Sequence, residues 1–146
     1  MNLHPQWVVG FTDGEGCFHV GIARHTGMTV GFQVLPEFVV VQHRRDVKVL
    51  HALKRYFDCG VVRSNHGDRV CWRVRTLEHL LDRIIPFFEA HPLKTLKRQD
   101  FLAFRRVVRL VGEGEHLTPE GLEKIRKIVS RMNGRRDSGK GKSGLS

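Results

Sequence analysis

The sequence predicts an α+β fold, on three observations. Apolar and polar residues alternate with period two in two separate regions, each interrupted by a turn, which reads as two β-hairpins. A segment with helical spacing of apolar residues precedes each hairpin. Further helical segments follow the second hairpin, so the order is helix, hairpin, helix, hairpin, then helices.

Each element has its own signal. Pro5 suits the first turn of a helix, and Trp7, Val8 and Phe11 recur on one side until glycines intervene, giving a helix over residues 5–14. From Cys17, the residues Phe18, Val20 and Ile22 alternate with Cys17, His19 and Gly21, as in a half-buried strand. His25-Thr26-Gly27 reads as the turn, and residues 29–42 return as the second strand, with Pro36 marking a bulge or an edge. Asp46 is in place to cap a helix carrying Val49, Leu50, Leu53, Tyr56 and Phe57, which stops at residues 58–60. Val61 and Val62 then lead to a turn at Asn65-His66-Gly67-Asp68. Residues 69–75 place Val70, Trp72 and Val74 on one face and Arg69, Cys71, Arg73 and Arg75 on the other. Amphipathic helices are expected over 77–89 and 95–111, and Thr118-Pro119 opens a last helix reaching about residue 132.

At 146 residues and 40% hydrophobic content, one domain over residues 1–132 is expected. Residues 133–146 collapse to a basic Gly/Ser-rich composition with Leu145 as the one large apolar residue, and are expected to be disordered. Lys plus Arg outnumber Asp plus Glu by 25 to 15, which sets up the field of a polyanion binder, nucleic acid ahead of a membrane surface. No apolar run approaches the roughly 20 residues a spanning helix needs. The N-terminal MNLHPQW has neither a basic n-region nor an apolar h-region, so a soluble, non-secreted protein is expected. Cys17, Cys59 and Cys71 form no C-x-x-C pair, which argues against a disulfide framework or a zinc site. The nine histidines are scattered without partners at ligand spacing.

Both hairpins carry polar or basic residues opposite an apolar face. These are His19, His25, Gln33, Arg63, Asn65, Arg69, Arg73 and Arg75. A two-stranded ribbon fits the major groove, and Arg, Asn and Gln make bidentate contacts to base edges, so this face is a candidate DNA-reading surface. Lys94, Lys97, Arg98, Arg105, Arg106 and Arg109, and later Arg126, Lys127, Arg131, Arg135 and Arg136, are assigned to neutralising phosphates.

The stretch VVGFTDGEG, residues 8–16, resembles the nine-residue signature of the LAGLIDADG homing endonucleases, with Gly in the seventh place and Glu in the eighth. Further landmarks resemble the family in the same order: Cys17-Phe18, Gln42, YFDCG at 56–60, IPFF at 85–88, PLKT at 92–95, LTPEGL at 117–122 and Met132-Asn133. The resemblance covers residues 5–133. It implies a saddle fold, αββαββα, with extra C-terminal helices, whose concave four-stranded antiparallel sheet sits in the major groove of double-stranded DNA.

The signature occurs once, and in this family two signature helices pack together, so the resemblance implies a homodimer with Val9, Gly10, Asp13 and Gly14 at the interface. Gly10 and Gly14 stand four apart on one helical face, a spacing that lets two backbones approach; the competing reading packs them against the chain's own core. The acid in the eighth place, Glu15, is implied as catalytic metal ligand, helped by the carbonyl of Gly14, with Mg²⁺ as the ion and Mn²⁺ or Ca²⁺ able to substitute for binding. No small-molecule cofactor is implied. Asp13 takes a supporting role. Gln42 matches the family's active-site glutamine and Lys94 its lysine, with Lys97 one helical turn away as the alternative. Where some members have an arginine, this chain has Asp46, with Arg44 or Arg45 as possible substitutes. The implied activity is a metal-dependent double-strand break in a long pseudo-palindromic target, by an intron-encoded enzyme promoting intron mobility. It would lie with its DNA in a bacterial cytoplasm, a chloroplast or a mitochondrion. The alternative is an RNA maturase or a nucleic-acid-binding protein without catalysis.

Overall fold

The computed structural model describes residues 1–132. The expected tail at 133–146, with Asn133, Arg135 and Arg136, lies outside the described residues. The element order is α1 (Pro5–Glu15), β1 (Gly16–Arg24), β2 (Phe32–His43), a 3₁₀ turn (Arg44–Asp46), α2 (Val47–Phe57), β3 (Val61–Ser64) and β4 (Arg69–Val74). There follow α3 (Leu77–His79), a π turn (Leu80–Ile84), α4 (Ile85–Ala90), α5 (Lys97–Gly112), a second 3₁₀ turn (Glu115–Leu117) and α6 (Pro119–Ser130). The four strands form one antiparallel sheet in the order β1-β2-β4-β3, the α+β fold that the alternation predicts. The chain divides into two compact units, one of Met1–His19 with Glu37–Arg98, the other of Val20–Pro36 with the described residues from Gln99 onward.

The core of the first unit is aromatic. Phe38 stacks on Phe18 with ring centroids 4.8 Å apart and meets Trp72 edge-on at 5.6 Å, while Phe57 stacks on Trp72 at 5.3 Å. Phe18, Phe38, Trp72 and Phe88 are all buried, each large side chain contributing about 1.5–3 kcal/mol by leaving water. The Trp72 indole N–H would be stranded in such a core, and it donates to the Cys59 carbonyl at 2.9 Å. That contact requires the chain to pass close behind the ring at Gly60, where φ is +87° and a Cβ would lie 2.5 Å from Trp72 Nε1. Because the burial follows period two, the opposite face of β2 and β4 is left to Glu37, Val39, Val41, Arg73 and the residues flanking them. Cys71 departs from the expected alternation: it is buried although it lies on that outer side, flanked in the ladder by Val41 and Arg63.

The second unit is built on Phe101, Phe104, Val107 and Val108 of α5 and Leu122, Ile125 and Ile128 of α6, all buried. Thr118 caps α6, its Oγ1 accepting from the Gly121 N–H at 3.0 Å. The first turn of α6 sits so close to the preceding 3₁₀ turn that a Cβ at Gly121 would fall 1.8 Å from the Glu115 carbonyl oxygen.

Several local expectations are corrected. Pro36 is not among them: it is a buried strand residue two positions outside the β4 ladder, which starts at Phe38↔Val74, in keeping with the expected edge. Asp46 stands at the N-cap of α2 but makes no capping bond; His43 caps the preceding turn through Nδ1, which accepts from the Arg45 N–H at 3.1 Å. The helix expected over 77–89 is interrupted by the π turn. Pro86 lies in the first turn of α4, two residues beyond the π turn, where the helix start would supply no hydrogen-bond partner for the N–H that a proline lacks. The helix expected from residue 95 begins at Lys97, because Thr95 is used in another way.

Candidate active site at the end of the first helix

Helix α1 passes straight into β1 because residue 16 is glycine. A Cβ there would lie 2.7 Å from Thr12 Cγ2 and 3.3 Å from Phe38 Cε1, so a larger residue would push the strand off the helix. Two carboxylates are thereby fixed in the last turn, at the negative end of the helix dipole, where acids are disfavoured without donors or cations.

The two are served differently. Asp13 accepts three hydrogen bonds from one loop: the Lys94 N–H at 2.8 Å, the Thr95 N–H at 3.2 Å and the Thr95 hydroxyl at 2.7 Å. Thr95 Oγ1 in turn accepts from the Lys97 N–H at 3.2 Å, which starts α5. Asp13 is thus committed to holding residues 94–97. Glu15 is exposed and accepts one bond, from Gln42 Nε2 at 2.6 Å; the same amide nitrogen also donates to the Val41 carbonyl at 2.9 Å. The Lys97 ammonium donates to the carbonyl of Gly16. Glu15, Gln42 and the Lys97 ammonium therefore converge on the junction of α1 and β1. Lys94 reaches the junction through its backbone N–H, held by Asp13. Thr95 escaped the sequence reading; a threonine two residues before a helix start is the signal that could have found it.

Of the possible stand-ins for the family arginine, Arg44 is paired with Asp68 at 3.1 Å. Within the first unit, the outer face of the sheet carries Arg73 opposite Val39 and Val61, Arg63 opposite Cys71, and Arg69 opposite His43. Asn65 is in the hairpin turn, its N–H donating to the Arg69 carbonyl at 2.9 Å. His19 and Arg75 flank Glu37: Arg75 Nε donates to Glu37 Oε1 at 2.8 Å, and His19 Nδ1 is 3.8 Å from Glu37 Oε2. In the second unit, His25 Nδ1 accepts from the Gly27 N–H at 3.1 Å and so stabilises its own turn, and Gln33 is half-buried on β2. There too, the Phe32 ring lies under two guanidinium groups, Arg126 at 4.5 Å and Arg24 at 5.8 Å.

The outward face of α1 differs from the expected interface in two residues, Val9 and Asp13, the latter bound to residues 94 and 95 of its own chain. Val9 is 1% exposed and belongs to the chain's own core, as does Val8. Gly10 and Gly14 are exposed, and a Cβ on either would meet nothing within 4 Å. Beside them Trp7, 42% exposed, stacks on Phe11 with centroids 4.8 Å apart.

A metal ion at the junction would find Glu15 and backbone carbonyls as hard oxygen donors. Among the described residues no group of three or more His, Cys, Asp or Glu side chains is placed to hold an ion. One carboxylate with carbonyl oxygens suits a hard divalent ion that completes its shell with ligands from outside the chain. No helix among the described residues is long and apolar enough to cross a membrane.

Residues 8–108 match the sequence model of the LAGLIDADG endonuclease family. The chain is 34% identical over 133 residues to the probable intron-encoded endonuclease 2 of Neurospora crassa, covering 90% of this chain and 29% of that protein. It is 26% identical to the DNA endonuclease I-CeuI of Chlamydomonas moewusii, over 95% of this chain and 66% of the relative. Thus the chain spans about 29% of the length of the first of these curated relatives. Among solved structures, the homing endonuclease I-TnaI matches with a TM-score of 0.88 and 56% identity, over 91% of this chain and 90% of that one. The meganuclease I-SmaMI bound to uncleaveable DNA matches at a TM-score of 0.90 and 35% identity, over 91% of this chain and 45% of that one. I-SmaMI has also been solved on an uncleaved DNA target in the presence of calcium ions.

Proposed function

This chain belongs to the LAGLIDADG endonuclease family, and we propose that it is a site-specific homing endonuclease, intron-encoded, that cuts both strands of a long DNA target as a homodimer. The observation that carries the reading is the Glu15–Gln42 contact, a 2.6 Å hydrogen bond between residues 27 apart in sequence, at the acidic end of an exposed glycine-bearing helix.

A double-strand break needs a reacting centre for each strand, and each chain has one Glu15. Two copies joined through the outward face of α1 bring one Glu15 each to the same place. The glycines there permit close approach, and Trp7 with Phe11 supply apolar area. The ion is a divalent metal, Mg²⁺, with Glu15 and the Gly14 carbonyl as its protein ligands. When bound it polarises the phosphate and makes water a better nucleophile. The calcium present with I-SmaMI on DNA supports a divalent ion in a relative. Gln42 holds the Glu15 carboxylate in one orientation and offers an amide to a water. The lysine ammonium at the Gly16 carbonyl, that of Lys97, stabilises charge developing on the phosphate oxygens. Asp13 and Thr95 fix the loop that delivers it.

The reading is tested by Glu15→Gln. This change keeps the shape and the bond to Gln42 but removes the charge. Expected is retained binding of a selected duplex with cleavage lost in the presence of Mg²⁺. Cutting at the unmodified rate would refute the assignment.

A further inference from the structure

A carboxylate is out of place on a face meant for DNA. In a chain of net charge +10, Glu37 nevertheless sits on the outer side of β2, opposite to the buried Phe38 and Val40. Its side chain is 18% exposed, against 61% for Arg75 and 52% for His19 on either side. Glu37 is therefore the recessed member of a row running across β1, β2 and the end of β4. The cost of placing an anion there is offset by a charge-assisted bond from Arg75 Nε at 2.8 Å.

The atom used in that bond decides what the arginine can still do. With Nε occupied by Glu37 Oε1, the two terminal nitrogens remain to serve another acceptor, on a side chain that is 61% exposed. Those two nitrogens carry parallel donors with the spacing of guanine O6 and N7, the commonest specific arginine contact in the major groove. An unrestrained arginine loses rotamer freedom on binding, whereas one held at Nε by a recessed carboxylate has already lost much of it. Arg75 also lines, with Arg63, Arg73 and His79, a pocket of about 260 Å³ at that end of the sheet, so the row borders a concave site rich in donors.

We propose that Glu37 is a positioning residue that holds Arg75 by its Nε and so makes it the reader of one guanine in each half of the target. The proposal rests on the DNA-cutting reading but needs only binding to be examined. Glu37 itself touches no base; it acts through the arginine.

The experiment is selection of bound duplexes from a randomised library, without a cutting step, for the wild-type chain and for Arg75→Ala, Glu37→Ala and Glu37→Gln. The expected wild-type profile contains a guanine preference that Arg75→Ala weakens by about tenfold to a hundredfold at one position per half-site. Glu37→Ala relaxes the same position and leaves the others as they were, and Glu37→Gln, which keeps an acceptor for Nε, restores part of the preference. A merely structural role would instead lower affinity evenly along the site. Even lowering, an effect at a different position, or a cytosine preference lost with Glu37 but kept in Arg75→Ala would each overturn the proposal. A wild-type profile with no consensus at all would remove the site-specific reading and this inference with it. A clear consensus untouched by all three variants removes this inference alone.

Discussion

At the level of single residues, the site is a division of labour between two acids two positions apart. Asp13 accepts with both oxygens from the loop at 94–95, while Glu15, which is exposed, accepts from Gln42. The same loop separates two lysines that the sequence leaves interchangeable. The Lys97 ammonium reaches the α1–β1 junction and Lys94 contributes its backbone N–H, so Lys97→Ala should lower single-turnover cleavage at least about tenfold more than Lys94→Ala, as loss of a donor to a developing oxyanion does. The reverse order would identify Lys94 as the residue. The contact between Glu15 and Gln42 joins two residues that the resemblance names, one in the signature and one at the end of the second strand. Thr95 was legible only as part of the 92–95 landmark and Glu37 not at all, because each has its partner more than 35 residues away, Asp13 and Arg75 respectively.

Among the elements, those set by local chemistry were the readable ones. The 118–119 pair predicts the start of α6, and the structure shows the Thr118 hydroxyl on the Gly121 N–H. Thr118→Ala should cost about 1 kcal/mol, measured as a lower denaturation midpoint with unchanged slope, corresponding to about 3 °C in Tm. An unchanged midpoint would mean the cap is replaced by water. Elements whose boundaries depend on distant partners were misjudged. The start of α5 is delayed because Thr95 turns to Asp13, 82 residues away. Pro36 left bulge and edge open, and the register of β4, which starts at Phe38, favours the edge. Helix α3 to α4 carries the right apolar spacing, but a π turn shifts the register of that spacing, which no count of residues along the chain reveals.

For the whole molecule, the strands and helices follow from hydropathy period, while the proposed pairing of two chains depends on one exposed helix face. Gly10 and Gly14 have open space around them, so alanine there should stabilise the isolated chain, by up to about 1 kcal/mol per site from helix propensity. The same methyl groups hold two helices apart. Sedimentation equilibrium of Gly10→Ala/Gly14→Ala should therefore show weaker self-association together with a higher melting temperature at low concentration. Self-association as tight as wild type would exclude this face as the interface. The bonds from residues 94 and 95 to Asp13 have a consequence in time as well as in space. They join residues 81 and 82 positions apart, so they close only late, after the intervening strands and helices have been synthesised and folded. The signature helix leaves the ribosome several seconds before the loop that delivers the lysine. A half-made chain thus carries Asp13 and Glu15 without the loop at 94–95 that Asp13 binds.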